Sequence, residues 1–476
     1  MHAAFLATID TLYSTAAIDE GVAAVRAFLV AHQPAAFATT PFAARLDDRS
    51  RNVAFVLNAD PGRLICERDA VRGSVARNVT AGPKVQCLIT GQWQPPARLH
   101  PALRGVAGGQ TSGVSLVSFN LPAFQSYGLA QGDNAPVGTS AAFAYGTALN
   151  WLLAERRHRL RLGQLTVVFW GAKATQAETF LSDLFGDPPR DESEAERSAR
   201  AVRVQTLLTA PRSGIVPENI ETDFYVLGLA PNAARAAVAS WHEGNLADAV
   251  LRVRRWFVDL ALDGRPTFLP EALSLPFLLR AVAPLGETDR LSPRTPAALL
   301  SAALDGGRLP EEVLTLALGR LRVSSRPGDR YALTALLRVA LLRNHAMETT
   351  VSLDLTATDP AYRWGRLFAV FEKAQEDAQE GINVTVRDRF WASAAATPSM
   401  VFGVLSRLNG HHLRKLETPG RIRFERLIGE IMSGIQNFPF RLSLPEQGRF
   451  ALGYWHQRTA LFTRRDSAAP SADQAA

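Results

Sequence analysis

The chain is poor in the residues on which several kinds of chemistry depend. Of its 476 residues only two are cysteine, Cys66 and Cys87. That excludes a disulfide scaffold and a four-cysteine zinc site, and it suits a reducing, cytoplasmic setting. Lysine is almost absent: Lys84, Lys173, Lys373 and Lys415 are the only four among 52 basic residues, so the other 48 are arginine. No run of 18 apolar residues is free of charge, so no membrane-spanning helix is expected. The N-terminal stretch has no basic start and carries Asp10, unlike a secretory leader. There is no Gly-Lys dipeptide and hence no P-loop. HExxH, CxxC, GxSxG and the His-Asp pair of metal phosphohydrolases are missing as well. GGQTSG follows loop rather than strand and misses the dinucleotide spacing. Neither a metal nor a cofactor is expected.

What the chain does have is enough apolar material to fold. Hydrophobic residues make up 47% and charged residues 20%, with a formal net charge of +7. The length allows roughly two to four domains. The arginine excess fits either a GC-rich genome or phosphate binding by planar guanidinium forks. The modest positive charge is compatible with a nucleic-acid partner without requiring one. The adjacent His411 and His412 point about 100° apart on a helix and make poor co-ligands. Asp354 and Asp359 read as solvated acids.

The pattern predicts an α+β fold: a mixed strand and helix N-terminal domain followed by an all-α C-terminal helical bundle. Residues 2–34 read as one or two amphipathic helices. NVAFVLN, KVQCLIT, SLVSFN (115–120), LTVVFWG (165–171) and DFYVLGLA (223–230) read as strands. Ser140 is placed to cap a helix from Ala141 to about Arg161. The segment 186–201 reads as a solvated loop or helical linker. PNAARAAVASW reads as the start of a helix, with Pro231 and Asn232 at its beginning. After about residue 245 only helical periods remain. Four parts are expected: a domain over 1–245, a helical linker domain over 246–346, a bundle over 347–465 and a disordered tail over 466–476.

Several long segments occur together: 97–153 (ARLHPALRGVAGGQTSG and onward), VVFWGA (167–172), DFYVLGLAPNAARAAV (223–238), 363–402 (beginning RWGRLFAVFEKAQ) and LPEQGRFALGYWHQR (444–458). In this order they resemble the large subunit of the type I-C CRISPR surveillance complex, the Csd-type family, over roughly residues 85–463. That family carries a further strand-rich N-terminal segment that helps seat the guide RNA, and this chain begins near the helix that follows it. The resemblance implies a non-catalytic subunit. It would recognise the short motif beside a double-stranded DNA target, promote duplex opening, help hold the displaced strand and recruit a separate helicase-nuclease. Its partners would be the guide RNA, the target DNA and the other type I-C subunits, while base pairing reads the sequence. It also implies internal translation of a small subunit, for which Met347 is the candidate start. The competing readings are a structural assembly subunit without motif recognition and a metal-dependent nuclease.

Within that frame the loop 98–113 is the first candidate DNA surface. Gly105, Gly108, Gly109 and Gly113 would allow close backbone approach. Arg98, His100 and Arg104 supply charge for phosphates, and Gln110, Thr111 and Ser112 can bond base edges. The amides Asn120, Gln125, Gln131 and Asn134 form a second group, although Asn134 before Ala-Pro also reads as a turn residue. Asn232 and Arg235 at the expected helix start would bind phosphate. Trp93 would act as a wedge or as a packed loop residue. Arg387, Arg389, Arg407, Arg414 and Lys415 are the candidate strip for the displaced strand.

Overall fold

The structure, a computed structural model, describes residues 2–13, 19–31, 54–79, 84–173, 180–186, 192–213, 222–379, 381 and 383–463. The expected tail at 466–476 lies outside them. The chain divides into two compact units, residues 1–101 with 117–148, and residues 102–116 with 149–476.

The first unit opens with α1 (His2–Tyr13) and α2 (Glu20–Ala31), the two helices expected there. Asp19 starts α2 by accepting the Gly21 N–H at 2.9 Å, and it pairs with Arg68 at 2.9 Å. The short strands β1 (Val56–Leu57) and β2 (Asp60–Leu64) pair antiparallel and lead to α3 (Asp69–Val79). Ile9, Val22, Val25, Leu29, Ile65 and Val71 close a small core among them. A second hairpin, β3 (Val85–Gln86) with β4 (Trp93–Gln94), precedes α4 (Thr139–Ala154), which begins in this unit and ends in the other.

The second unit is built on a six-stranded sheet in the order β5 (Ala102–Leu103), β6 (Val114–Ser115), β10 (Arg235–Asn245), β9 (Asp223–Asn232), β8 (Leu165–Gly171), β7 (Arg159–Leu162). Every neighbouring pair is antiparallel except β6 with β10. β8 and β9 are the apolar runs read as strands, and both are buried along most of their length. Behind them lie α5 (Phe180–Phe185), α6 (Glu194–Ser213), α7 (Leu246–Leu260), α8 (Leu275–Val282) and α9 (Arg294–Asp305). They are followed by α10 (Glu311–Val323), α11 (Pro327–His345), α12 (Pro360–Ala378), α13 (Val386–Ala396), α14 (Pro398–Lys415), α15 (Thr418–Met432) and α16 (Leu444–Phe462). One continuous core runs from Phe169 and Phe224 of the sheet through Trp256 to Phe368 and Phe450 of the last helices. The fold is α+β, with the sheet in the N-terminal half and, among the described residues, no strand after residue 245.

Several local expectations are corrected. PNAARAAVASW does not begin a helix: Pro231–Ala234 turn the chain and β10 returns along β9 from Arg235↔Asn232 to Asn245↔Asp223. Alanine favours helix, but pairing with a buried apolar strand overrides that weak preference. The helix expected to reach Arg161 stops at Ala154, because Arg-Leu-Arg-Leu alternates and pairs with β8 as an edge strand. Ser140 lies inside α4, and its hydroxyl donates to the Gln94 side-chain carbonyl oxygen. SLVSFN supplies strand only at Ser115, and KVQCLIT only at Val85–Gln86. Of NVAFVLN, Val56–Leu57 is strand, while residues 52 and 53 lie outside the described residues. The polar 186–201 segment enters α6, where Ser193 and Glu196 form a capping box at 2.7–3.3 Å.

Candidate nucleic-acid interface

The glycine-rich stretch becomes a short hairpin on the edge of the second unit's sheet. Ala102 and Leu103 pair with Ser115 and Val114. Leu103 and Val114 are buried and anchor the base. The buried Thr166 Oγ1 on β8 accepts the Ala107 N–H at 2.8 Å, which pins the loop to an inner strand of the sheet. Gly113 has φ +107°, and a Cβ there would lie 2.9 Å from the Ala102 Cβ, so only glycine lets the two arms close. The Gly113 N–H donates to the Gln110 carbonyl at 3.0 Å. Between these fixed points Gln110, Thr111 and Ser112 are exposed, and among the described residues none has a side-chain hydrogen-bond partner.

The turn between β9 and β10 lies beside this hairpin. The Ser115 N–H donates to the Ala234 carbonyl at 3.0 Å, and Arg235 registers with Ser115. Gly108, at φ +71°, faces Pro231 so closely that a Cβ would stand 3.1 Å from its ring. The structure thus brings Asn232 and Arg235 to the same edge as Gln110, Thr111 and Ser112. It does so as a β-turn, so the helix N-terminus argued for Asn232 and Arg235 does not exist. Arg104 is also here: its N–H donates to Asn150 Oδ1 at 2.9 Å, and its side chain is exposed.

The first unit gathers the other candidates around a separate small core of Cys87, Ala97, Val137, Ala141 and Ala142. Trp93 is 67% exposed on β4, so it is not a packed loop residue. Arg98 is exposed, and Gly132 lies against its backbone. His100 is corrected as a phosphate cation. It is half-buried, its Nδ1 lies 2.5 Å from the Tyr145 hydroxyl, and burial lowers its pKa, so it is neutral at neutral pH. Asn134 is corrected as a base reader. Its Oδ1 accepts the Ser126 N–H at 2.8 Å and its Nδ2 donates to the Leu129 and Gln131 carbonyls at 3.0 Å, so its amide is spent on its own loop. Gln131 is half-buried at φ +46°, and Asn120 and Gln125 are exposed. Cys87 is buried; burial raises its thiol, but hydrogen bonding led by the Gly138 N–H (3.2 Å) outweighs it and draws the pKa down to about 7.

In the C-terminal strip, Arg407 and Arg414 share one face of α14 with His411, and Lys415 follows; Arg389 is exposed on α13. Arg387 drops out of the strip. It is buried, donates to the Leu321 carbonyl at 2.8 Å and lies over the Trp391 ring at 5.0 Å. Met347 follows the left-handed cap of α11 and accepts a contact from Arg449 on its sulfur at 3.3 Å.

One cluster escaped the sequence reading. Trp170, Tyr225 and Trp241 meet on the sheet with ring centroids 5.5–5.9 Å apart. Trp241 stands six residues along β10 from Arg235, about 20 Å from the hairpin turn. Strand alternation would have shown that each leaves the core, but only the register brings them together.

The family model for the CRISPR-associated protein Cas_Csd1 matches residues 1–462. No curated protein matches the chain. Among the described residues no helix is long and apolar enough to cross a membrane.

Proposed function

The chain belongs to the Cas_Csd1 family, large subunits of type I-C CRISPR complexes, and on that premise we propose that it reads the flanking motif of double-stranded target DNA with the tip of the β5–β6 hairpin. The observation that carries this reading is the exposed trio Gln110, Thr111 and Ser112, held without side-chain partners on a loop fixed at both ends. Gln and Thr bond base edges, and rigid placement keeps the ordering cost of binding low. Arg98 and Arg104 contact phosphates. Trp93 inserts at the base step where the duplex opens. Arg389, Arg407, Arg414 and Lys415 attract the displaced strand. The chain is non-catalytic in this reading, works with the guide RNA in the cytoplasm, and leaves cutting to a recruited helicase-nuclease. An internal start at Met347 would release α12–α16 as a small subunit.

A second reading, assembly without motif recognition, is favoured by one feature of the first unit. Leu121, Phe124, Tyr127 and Leu129 are exposed on one uncharged loop, as a subunit contact requires.

Binding of the assembled complex to duplexes with a randomised flank tests the proposal. Gln110→Ala or Thr111→Ala should relax flank choice, costing about 1–3 kcal/mol of discrimination, with assembly intact. Arg98→Ala should weaken binding to all flanks alike and lower the salt slope by about 0.9. Unchanged flank choice in both hairpin variants would refute the assignment.

A further inference from the structure

The other edge of the sheet carries a different feature. Among the described residues β7 pairs with β8 alone and is the last strand of the sheet. With the turn before it, the sequence reads Arg156-Arg157-His158-Arg159-Leu160-Arg161. Leu160 is buried, while Arg161, Arg156 and Arg157 are exposed. They line a cavity of about 680 Å³ within the second unit, whose lining also includes Arg200 of α6, Arg280 of α8 and, from the turn that follows α8, Gly286, Thr288 and Asp289. That turn is fixed: the Gln164 Nε2 donates to the Asp289 carbonyl at 2.9 Å, and Gly163 at φ +60° approaches the Thr288 carbonyl where a Cβ would be 2.9 Å away.

Among the described residues, six arginines line the cavity with two carboxylates, Asp183 and Asp289, and Arg280 has an interaction of its own. Asp183 is held by Arg203 at 3.0 Å, and Arg200 is held by Glu192 at 2.9 Å. Arg159 gives one N–H to the Leu153 carbonyl. Arg157 has Glu155 only at 4.0 Å. Arg156 and Arg161 have no carboxylate partner among the described residues. Cations gathered in a concave site repel one another, and an anion relieves that repulsion.

We infer that this cavity is an anion site that takes phosphate groups, with the arginine forks of the β7 edge bonding phosphate oxygens. Guanidinium pairs with phosphate bidentately, and the volume holds more than a single phosphate. Nothing in this inference depends on the hairpin at the opposite edge. The plainer alternative is that the arginines only keep an open strand edge from pairing with another chain.

The test uses the full chain, a labelled single-stranded oligonucleotide and pyrophosphate. Affinities are measured against salt for the wild type, Arg156→Glu/Arg161→Glu and, as a milder pair, Arg156→Gln/Arg161→Gln. Thermal melts confirm folding. If a polynucleotide is the ligand, oligonucleotide binding weakens about tenfold in both pairs and the salt slope falls by about 1.4, for two lost single-strand phosphate contacts. If pyrophosphate binding is lost while oligonucleotide binding stays, the anion site holds and its ligand is a small phosphate compound. If folded variants keep both affinities and the slope, the site is refuted and the arginines guard the edge. Arg156→Lys/Arg161→Lys should keep the slope, because charge is conserved.

Discussion

His456 is one acid-sensitive residue of the C-terminal helices. It is 1% exposed and lies 2.8 Å from the Tyr362 hydroxyl. Burial, aided by the positive charge of Arg338, pushes its pKa down from 6.5 to about 4. The unfolded chain therefore binds the proton first as pH falls. Stability from this residue is complete above pH 6.5 and is lost between 6.5 and 4, amounting to about 3 kcal/mol. Urea unfolding of His456→Gln at pH 7 and pH 4.5 should show a smaller drop than the wild type; an equal drop would remove His456 as the acid-sensitive group. The arginines teach a related lesson. Arg338 donates to the carbonyls of Val258, Asp259, Thr349 and Thr350, and Arg366 is 2% exposed against Gln457 and Glu430. Arg387 spends its fork in the same way. Composition shows arginine to be the prevailing cation, but burial decides which arginines serve the fold, and burial is set by distant helices. His100 was misread for the same reason: it looks free in the sequence, and Tyr145 claims it in space, whereas the turn reading of Asn134 was already legible before Ala-Pro.

Among the helices, α12 and α16 approach each other closely. A Cβ on Gly365 would stand 2.0 Å from the Phe450 carbonyl oxygen, and one on Gly453 would stand 2.1 Å from that of Tyr362. Glycine at both positions lets the two backbones touch. Gly365→Ala should destabilise the fold by about 3 kcal/mol or more, read as a lower urea midpoint, because backbone rather than a flexible side chain must move. Gly403→Ala, on α14 with open space at its Cβ, is the control and should stabilise slightly. The same helices bear on Met347. Arg387 reaches the Leu321 and Ser324 carbonyls and Arg322 reaches Gln447, so α12–α16 share a core with α10 and α11. A product starting at Met347 leaves that face uncovered and should bind hydrophobic dyes or a partner. Legibility at this scale followed the hydrophobic pattern. β8 and β9 were plain because they are apolar runs, and the helices after residue 245 because their period is regular. β10 was hidden by its alanines. β5 was hidden and β6 was caught only at Ser115, because two-residue strands leave little pattern, although glycines marked the loop between them. β7 was absorbed into the preceding helix, and with it the arginine edge.

At the scale of the whole molecule, two units carry the candidate groups, and family membership ties them to one task in a type I-C complex. The family motifs were legible across most of the chain, whereas the chemistry was not, because Gln110–Ser112 and Asn232 are joined only by sheet register. The second unit presents polar side chains at one sheet edge and arginines at the other. The most direct measurement is flank selection by the reconstituted complex. This chain is assembled with the other type I-C subunits and a guide RNA, and offered target duplexes with a randomised flank at fixed salt. The account predicts that particular flanking bases are enriched when this chain is present and that the enrichment falls in Gln110→Ala. Tight binding with no flank preference, from a complex that contains the chain, would contradict it.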